Sequence, residues 1–289
     1  MSRSIGQWMN RRKSIFFVLI ILNIVQACSS TSKYNIKIER NLKIGERIKK
    51  NASQVYSNFP SDLQVNNHNL ETYMFQNYVQ NTNIFNVEPI NFENIYSEII
   101  LKGPISYSFF SKYEDRKVMH EVSAGFIEIP YSKFVEMFDP EKNWGKYLSK
   151  YLGGELVVDK VNKNNKSILQ RERMVLGMPW YTIGTPNLDM EKYEWIEYEK
   201  NSTQIYWEVI NSENKSVFLD IGYLRFQSKI IGDKEYTMVI FNSMHRINEG
   251  WFSAIMPSLL TDSISLKSLR DVFCAHITSY KKIILKLYK

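Results

Sequence analysis

The chain has 289 residues, 44% of them apolar and 23% charged, which suffices for one large folded domain with an appendage and excludes a wholly disordered chain. Its net charge of +7 would suit nucleic acid, but Arg3, Arg11, Arg12 and Lys13 account for four positive charges at the N-terminus and leave +3 for the rest. The remaining Lys and Arg interleave with Glu and Asp without a basic block, so a nucleic-acid partner is not expected.

The first elements read as an export signal. The four basic residues precede an apolar run from Ile15 to Val25, broken only by Asn23, and Ala27 offers a small residue before a cut. The run is short of the roughly 20 residues that a permanent membrane helix needs. Val25-Gln26-Ala27-Cys28 resembles the lipobox of bacterial lipoproteins, although Val25 and Gln26 depart from the family's preferred Leu and small residue. The resemblance implies that Cys28 becomes the N-terminus, carries acyl chains such as palmitate, and anchors the protein in a membrane of the cell envelope. Ser29 rather than Asp after the cysteine implies the outer membrane of a double-membrane bacterium. With Cys28 acylated, Cys274 is the only other cysteine, so no internal disulfide is expected.

Ser29 to about Ser53 is polar and reads as a tether with one weak element. From Leu63 to Leu101, Met74, Tyr78 and Val79 share a helical face, as do Phe92, Ile95, Tyr96 and Ile99. "VMHEVSAGFIEI" alternates like a strand from Val118, and Pro130 then opens a helix carrying Phe134, Val135 and Phe138. "WGKYLSKYLG" extends the helical pattern to Gly153-Gly154, read as a helix stop. Six strand-like runs follow, from "ELVVDKV" to "YTMVIFNSMHRI", separated by turn sequences such as "NKNN", "NSENK" and "IGDK". The last segment is helical: Leu266, Leu269, Phe273, Ile277, Tyr280, Ile284 and Leu287 form one apolar stripe, with Pro257 expected to break the helix near its start.

This order of elements resembles the START-like, or SRPBCC, helix-grip domains over about Val118 to Tyr288. "IPYSKFVEMFDPEKNW" is similar to the family's opening strand-to-helix passage, and "INEGWFSAIMPSLLTDSISLKSLRDVF" to its entry into the last helix. The implied fold is α+β, a curved antiparallel sheet wrapped around a long C-terminal helix, with a helical N-terminal extension. The expected organisation is a signal peptide over 1–27, a tether over 28–62, the helical extension over 63–117 and the START-like domain over 118–289.

Chemistry is sparse. No zinc-protease, nucleophile-elbow, C-x-x-C or phosphate-loop motif is present. His120 and Glu121 are adjacent on a strand and point to opposite faces. His276 lies beside the apolar stripe without a nameable partner and reads as a satisfied core histidine. Arg171 and Arg173 flank Glu172; facing inward they would hold an anionic group, facing outward they are a solvated sheet surface. The aromatic residues, 14% of the chain, include Trp180, Tyr181, Trp195, Trp207 and Trp251, suited either to a ligand site or to core.

The resulting expectation is a lipid-anchored domain that binds an apolar small molecule or lipid, without cofactor or metal. The expected lining is Trp207 and Val209 on one strand, Met238 and Ile240 on another, and Phe273, Ile277 and Tyr280 on the last helix. The alternatives are a cofactor-independent cyclase or hydrolase of the same fold, which a polar dyad facing the pocket would favour, and a solid-cored structural protein of the envelope. Cys28→Ala should abolish incorporation of radiolabelled palmitate in cells; continued labelling would exclude Cys28 as the acylated residue.

Overall fold

A computed structural model describes residues 37–54, 92–113, 116–138, 144–160, 167–177, 187–212, 217–247 and 258–289. The signal over 1–27, Cys28, the Met74–Tyr78–Val79 face, Trp180, Tyr181, Trp251 and Pro257 lie outside these residues. The chain divides into two units, 1–44 and 45–289. Residues 37–54, expected as part of a tether, are helical (α1), and in the first unit Lys43 Nζ lies 2.9 Å from Glu39 Oε1. In the second unit, Ile48 and Ala52, one turn apart on α1, are fully buried. Gly45 packs against the Trp195 ring, where a Cβ would come within 2.3 Å, so only glycine permits that approach. Two apolar residues and a glycine were too faint a pattern among polar neighbours to announce this helix.

The next element is α2 (Phe92–Lys102), as its spacing predicted, with Tyr96 and Ile99 buried. Eight strands then form one antiparallel sheet: β1 (Ile105–Tyr113), β2 (Arg116–Ile127), β3 (Tyr151–Lys160), β4 (Ser167–Gly177), β5 (Asn187–Tyr198), β6 (Ser202–Ser212), β7 (Val217–Ile231) and β8 (Lys234–Ile247). Their spatial order is β1-β2-β8-β7-β6-β5-β4-β3. Between β2 and β3 the chain runs through α3 (Tyr131–Met137) and a 3-10 turn (Trp144–Tyr147), then meanders back strand by strand until β8 closes against β2. The long helix α4 (Ser258–Tyr288) completes the chain. The sheet grips α4, and the fold is a helix-grip α+β architecture.

Three local expectations change. β1 occupies a stretch expected to belong to the helical extension, so the sheet begins before Val118. The helical pattern of "WGKYLSKYLG" ends in a single 3-10 turn, because Lys150 at φ 61° turns the chain into β3. Gly153 and Gly154 therefore lie in a strand at a β-bulge rather than at a helix stop. A Cβ on Gly154 would meet the Arg173 carbonyl oxygen of the neighbouring strand at 2.4 Å. The other turn sequences behave as expected: Gly232, at φ 58°, makes the two-residue connection between β7 and β8.

Burial distinguishes the two halves of the sheet. β4 alternates between buried and exposed, whereas β2 is almost continuously buried from Val118 on. The difference follows from cover: α4 lies on one face of β2, where Ile277 meets Gly125, and α2 lies on the other, where Tyr96 packs edge-on to Phe126. On the α4 side, the core is aromatic. Phe134 and Phe138 of the α3 segment pack at a tilt against Phe226, with ring centroids 4.5 and 4.8 Å away, and Phe226 in turn meets Tyr280 at 5.7 Å. Leu269, Phe273, Ile277, Tyr280 and Ile284 of the predicted stripe are buried, while Leu287 is exposed at the helix end.

The seat of α4 depends on Gly125. A Cβ there would stand 2.6 Å from Ile277 Cγ2 and 3.1 Å from Pro104 Cβ, both side chains held in packed surroundings. Gly125→Val should therefore lower stability by about 1–3 kcal/mol through overpacking, read as a lower urea midpoint. An unchanged midpoint would show that the helix is not seated on β2 as described.

Candidate ligand site

The strand register sorts the side chains facing α4 into rows that cross the sheet at right angles to the strands. One row is mostly apolar: Ile168, Ile196, Ile205, Leu224 and Phe241 are successive cross-strand partners. The adjacent row is different. Gln170 pairs with Glu194, Glu194 with Trp207, Trp207 with Gly222, Gly222 with Ser243, and Ser243 with Glu121. One step further, Glu172 pairs with Lys192, and Asp220 with His245. A polar band thus crosses the inner face of a sheet whose other inner positions are largely hydrocarbon.

At one end of the band sits a charged triplet. Lys192 Nζ lies 2.6 Å from Glu194 Oε1 and 3.2 Å from Glu172 Oε2, and all three residues are essentially inaccessible to solvent. Burial works against the ammonium, but Glu194 and Glu172 together outweigh it and hold Lys192 protonated, with its pKa above the ordinary lysine value. Neither Glu172 oxygen accepts a hydrogen bond, so that carboxylate has a nearby charge but no donor aligned to it. The Tyr280 hydroxyl, within electrostatic reach of both glutamates, is kept firmly in its neutral form by burial and by those two charges.

In the middle of the band four side chains are linked in series. Asp220 Oδ1 accepts from Trp207 Nε1 at 2.7 Å and lies 3.2 Å from His245 Nδ1, while His245 Nε2 lies 2.6 Å from Ser243 Oγ. Burial alone would raise the Asp220 carboxyl; His245, the Trp207 N–H and Lys192 overcome it and hold the group below its usual value. With Nδ1 protonated toward Asp220, Nε2 is free to accept the Ser243 proton, which is the bond order of an acyl-transfer triad. Ser243 itself has no exposed surface. Beyond it, Glu121 accepts a bond from Ser106 at 2.8 Å, and burial lifts its pKa well above its ordinary value.

The sequence-predicted lining divides in two. Trp207 and Val209 face α4, and Phe273, Ile277 and Tyr280 face the sheet within the same core. Met238 and Ile240 lie on the opposite face, opposite Phe126 and Ala124 of β2, and it is Val239 and Phe241 that join the α4-side core. Alternation could not settle the parity of β8, because both of its faces are buried and both carry apolar residues. Arg171 and Arg173 point outward, Arg171 paired with Glu191 and Arg173 Nη2 3.0 Å from Asp189 Oδ2. They line a mixed-charge groove of about 550 Å³ on the outer face, with Glu155 among its walls. The inward group is Glu172.

His276 is the satisfied core histidine the sequence suggested. Its Nδ1 accepts the Ser149 backbone N–H at 3.0 Å, and burial, then Lys192 and His245, push its pKa down to about 3. His120 and Glu121 do point to opposite faces; His120 stacks on Phe109 with ring centroids 4.9 Å apart. The Cys274 thiol is pushed up to about 12, first by burial and then by Glu121 and Asp271, so it is not a thiolate nucleophile.

Lys192, Glu194, Asp220, Ser243 and His245 were not singled out from the sequence, yet a signal was there. In "NLDMEKYEWIEY", Lys192 and Glu194 share parity with Leu188, Met190 and Ile196, and in "SILQRERMVLG" Gln170 and Glu172 share parity with Ile168, Met174 and Leu176. A charge on the apolar parity of a strand is the mark of a polar group sent inward.

No family model matches this chain, and no curated protein matches it. Among solved structures it is similar to human StAR-related lipid transfer protein 5, at 9% identity and a TM-score of 0.42, over 75% of this chain and 97% of that one. A STAR-related lipid transfer protein from Xanthomonas axonopodis gives 11% and 0.41, over 61% and 93%. The Zhui aromatase/cyclase from Streptomyces sp. R1128 gives 7% and 0.40, over 60% and 96%. Similarities this remote carry no weight for function, which rests on the chain's own side chains.

Two of the buried histidines, His120 and His276, set a pH dependence. In the native state His276 stays neutral to about pH 3 and His120 to about pH 4, both mainly because of burial, whereas unfolded histidines titrate near their ordinary 6.5. Below that value the unfolded chain binds more protons than the folded one. The stability that these histidines contribute is therefore complete above pH 6.5 and declines as pH falls toward 4, by about 1.4 kcal/mol per pH unit for each. His276→Gln, which keeps an acceptor for Ser149, should remove roughly half of that slope in urea titrations between pH 6 and 5. An unchanged slope would show that His276 takes up its proton in the native state.

Proposed function

We propose that this chain is a membrane-anchored lipoprotein whose helix-grip domain binds a hydrophobic small molecule or lipid between the sheet and α4. The observation that carries the reading is the polar band, above all Glu172, fully buried with no hydrogen-bond donor on either oxygen. A buried polar group without a partner costs about 1–3 kcal/mol, and more when charged. A core built only for stability would place hydrocarbon there. A bound molecule that brings a donor to Glu172 and lays its apolar part along the Phe241 and Leu224 row removes that penalty. The anchoring half of the reading comes from the sequence around Cys28, and it places the domain at the cell envelope, with the outer membrane favoured by Ser29.

Asp220, His245 and Ser243 favour a second reading, cofactor-independent hydrolysis, because their bonding order fits a general base feeding a serine nucleophile. Ser243 and Glu172 are equally without exposed surface, so either reading requires the side chains that cover the band to move aside before a bound molecule can reach it. Native mass spectrometry of the full chain separates the readings. A single co-purified apolar molecule, released on unfolding, is expected. A bare chain that also takes up no apolar dye while folded would remove the binding reading, and ester hydrolysis lost in Ser243→Ala would replace it with the second.

A further inference from the structure

The charges inside the grip also specify what kind of head group they take. Facing α4 in one connected region are three carboxylates, Glu172, Glu194 and Asp220, and one lysine, Lys192; Asp220 lies within electrostatic reach of that lysine. His245 at its most charged adds one positive charge, so the region remains net negative. Among the described residues of this region Lys192 is the one permanent cation an anionic head would meet, and that ammonium already faces Glu194 at 2.6 Å and Glu172 at 3.2 Å. A carboxylate or phosphate would therefore be buried beside three like charges, at a cost that the interior offers nothing to offset.

We propose that the site takes an apolar molecule ending in a protonated amine, whose N–H groups donate to the Glu172 carboxylate. This rests on the ligand-binding reading above and sharpens it. An ammonium supplies what Glu172 lacks, donors rather than charge alone, because Lys192 is near its Oε2 but not aligned to bond it. The aromatic wall beside the band suits a cation as well: Tyr280 stands 6.3 Å from Tyr147 and 6.0 Å from Phe138 between ring centroids. The hydrocarbon part of the ligand would follow the apolar row of Ile196, Ile205 and Leu224.

The test compares one tail with three heads. Dodecylamine, dodecanol and dodecanoate are titrated into the full chain at pH 7, below their micelle-forming concentrations, by isothermal calorimetry. The amine should bind about tenfold more tightly than either of the others, the difference between a charge-assisted and a neutral hydrogen bond. Dodecanol or dodecanoate binding as tightly as the amine would overturn the head-group assignment while leaving an apolar ligand site in place. No binding by any of the three would overturn the ligand-binding reading itself. In Glu172→Gln, shown folded by circular dichroism, the amine preference should fall to about threefold or less while dodecanol is unaffected. A folded variant that keeps the full preference would overturn the role of Glu172, and if the variant does not fold, the three-ligand comparison on the native chain decides alone.

Discussion

The ladder between β2 and β8 is the interaction on which the rest of the molecule depends. Met119 to Ile127 pair with His245 to Thr237, so two segments more than 100 residues apart in sequence are brought into register. Every other strand pairing is between consecutive strands and can form locally. Only the β2–β8 pairing places the meander beside the opening hairpin, and only then does α4 have a floor, because the strands it lies nearest to are β2 and β1. Ser108 Oγ of β1 donates to the Leu266 carbonyl, Gly125 of β2 admits Ile277, and Lys281 Nζ reaches Glu128, just past the end of β2, at 2.6 Å. A long-range closure of this kind is slow to form, since loop entropy is lost before most contacts reward it.

What that closure encloses is unusual for a core. Ion pairs taken out of water do not stabilise a fold relative to hydrocarbon of the same volume, because desolvation offsets the Coulomb attraction. Lys192 with Glu172 and Glu194 is such a case. The sheet has ample alternatives: Met174, Leu176, Leu188 and Met190, on the same strands and the same face, show that hydrocarbon fits the neighbouring positions. The polar band is therefore a departure from what the fold needs. It lies in one strip, while the aromatic cluster of Phe134, Phe138 and Phe226 supplies the packing elsewhere.

Much of the architecture was legible in the sequence because one face of the β3 to β6 half of the sheet is open. There the period-two pattern survives, as in "SILQRERMVLG", and the turns are marked by Asn, Gly and Asp. The final stripe on α4 was equally plain. Legibility failed where cover is double or local signals are thin. β8 is buried on both faces, so Met238 and Ile240 looked as inward as Val239 and Phe241. β1, "ISYSFFSKY", has serines at the inner positions and phenylalanines on both parities, and its strand character comes from pairing with β2. The helix at "WGKYLSKYLG" gave way to β3 because the edge of the sheet recruits Tyr151 onward through pairing with β4. The site leaves no local signature for a related reason: each strand contributes only one or two of its polar residues, and the band exists only across strands.

That cross-strand character also explains why the sequence carries no local motif. Gln170, Glu194, Trp207, Gly222, Ser243 and Glu121 come from six strands, one residue from each, and only the register aligns them. Gly222 is the narrow point of the row: a Cβ there would meet the Trp207 ring at 2.7 Å and the Ser243 side chain at 2.7 Å. The glycine thus lets Trp207 lie across β7, where its N–H reaches Asp220 and ties the charged end of the band to the histidine in its middle. A band built this way is as rigid as the sheet beneath it, so its donors and acceptors are held in place before any ligand arrives. Preorganisation of that kind lowers the entropy lost on binding, so under the proposed reading the chemistry of the head group, rather than the adaptability of the protein, would select the ligand.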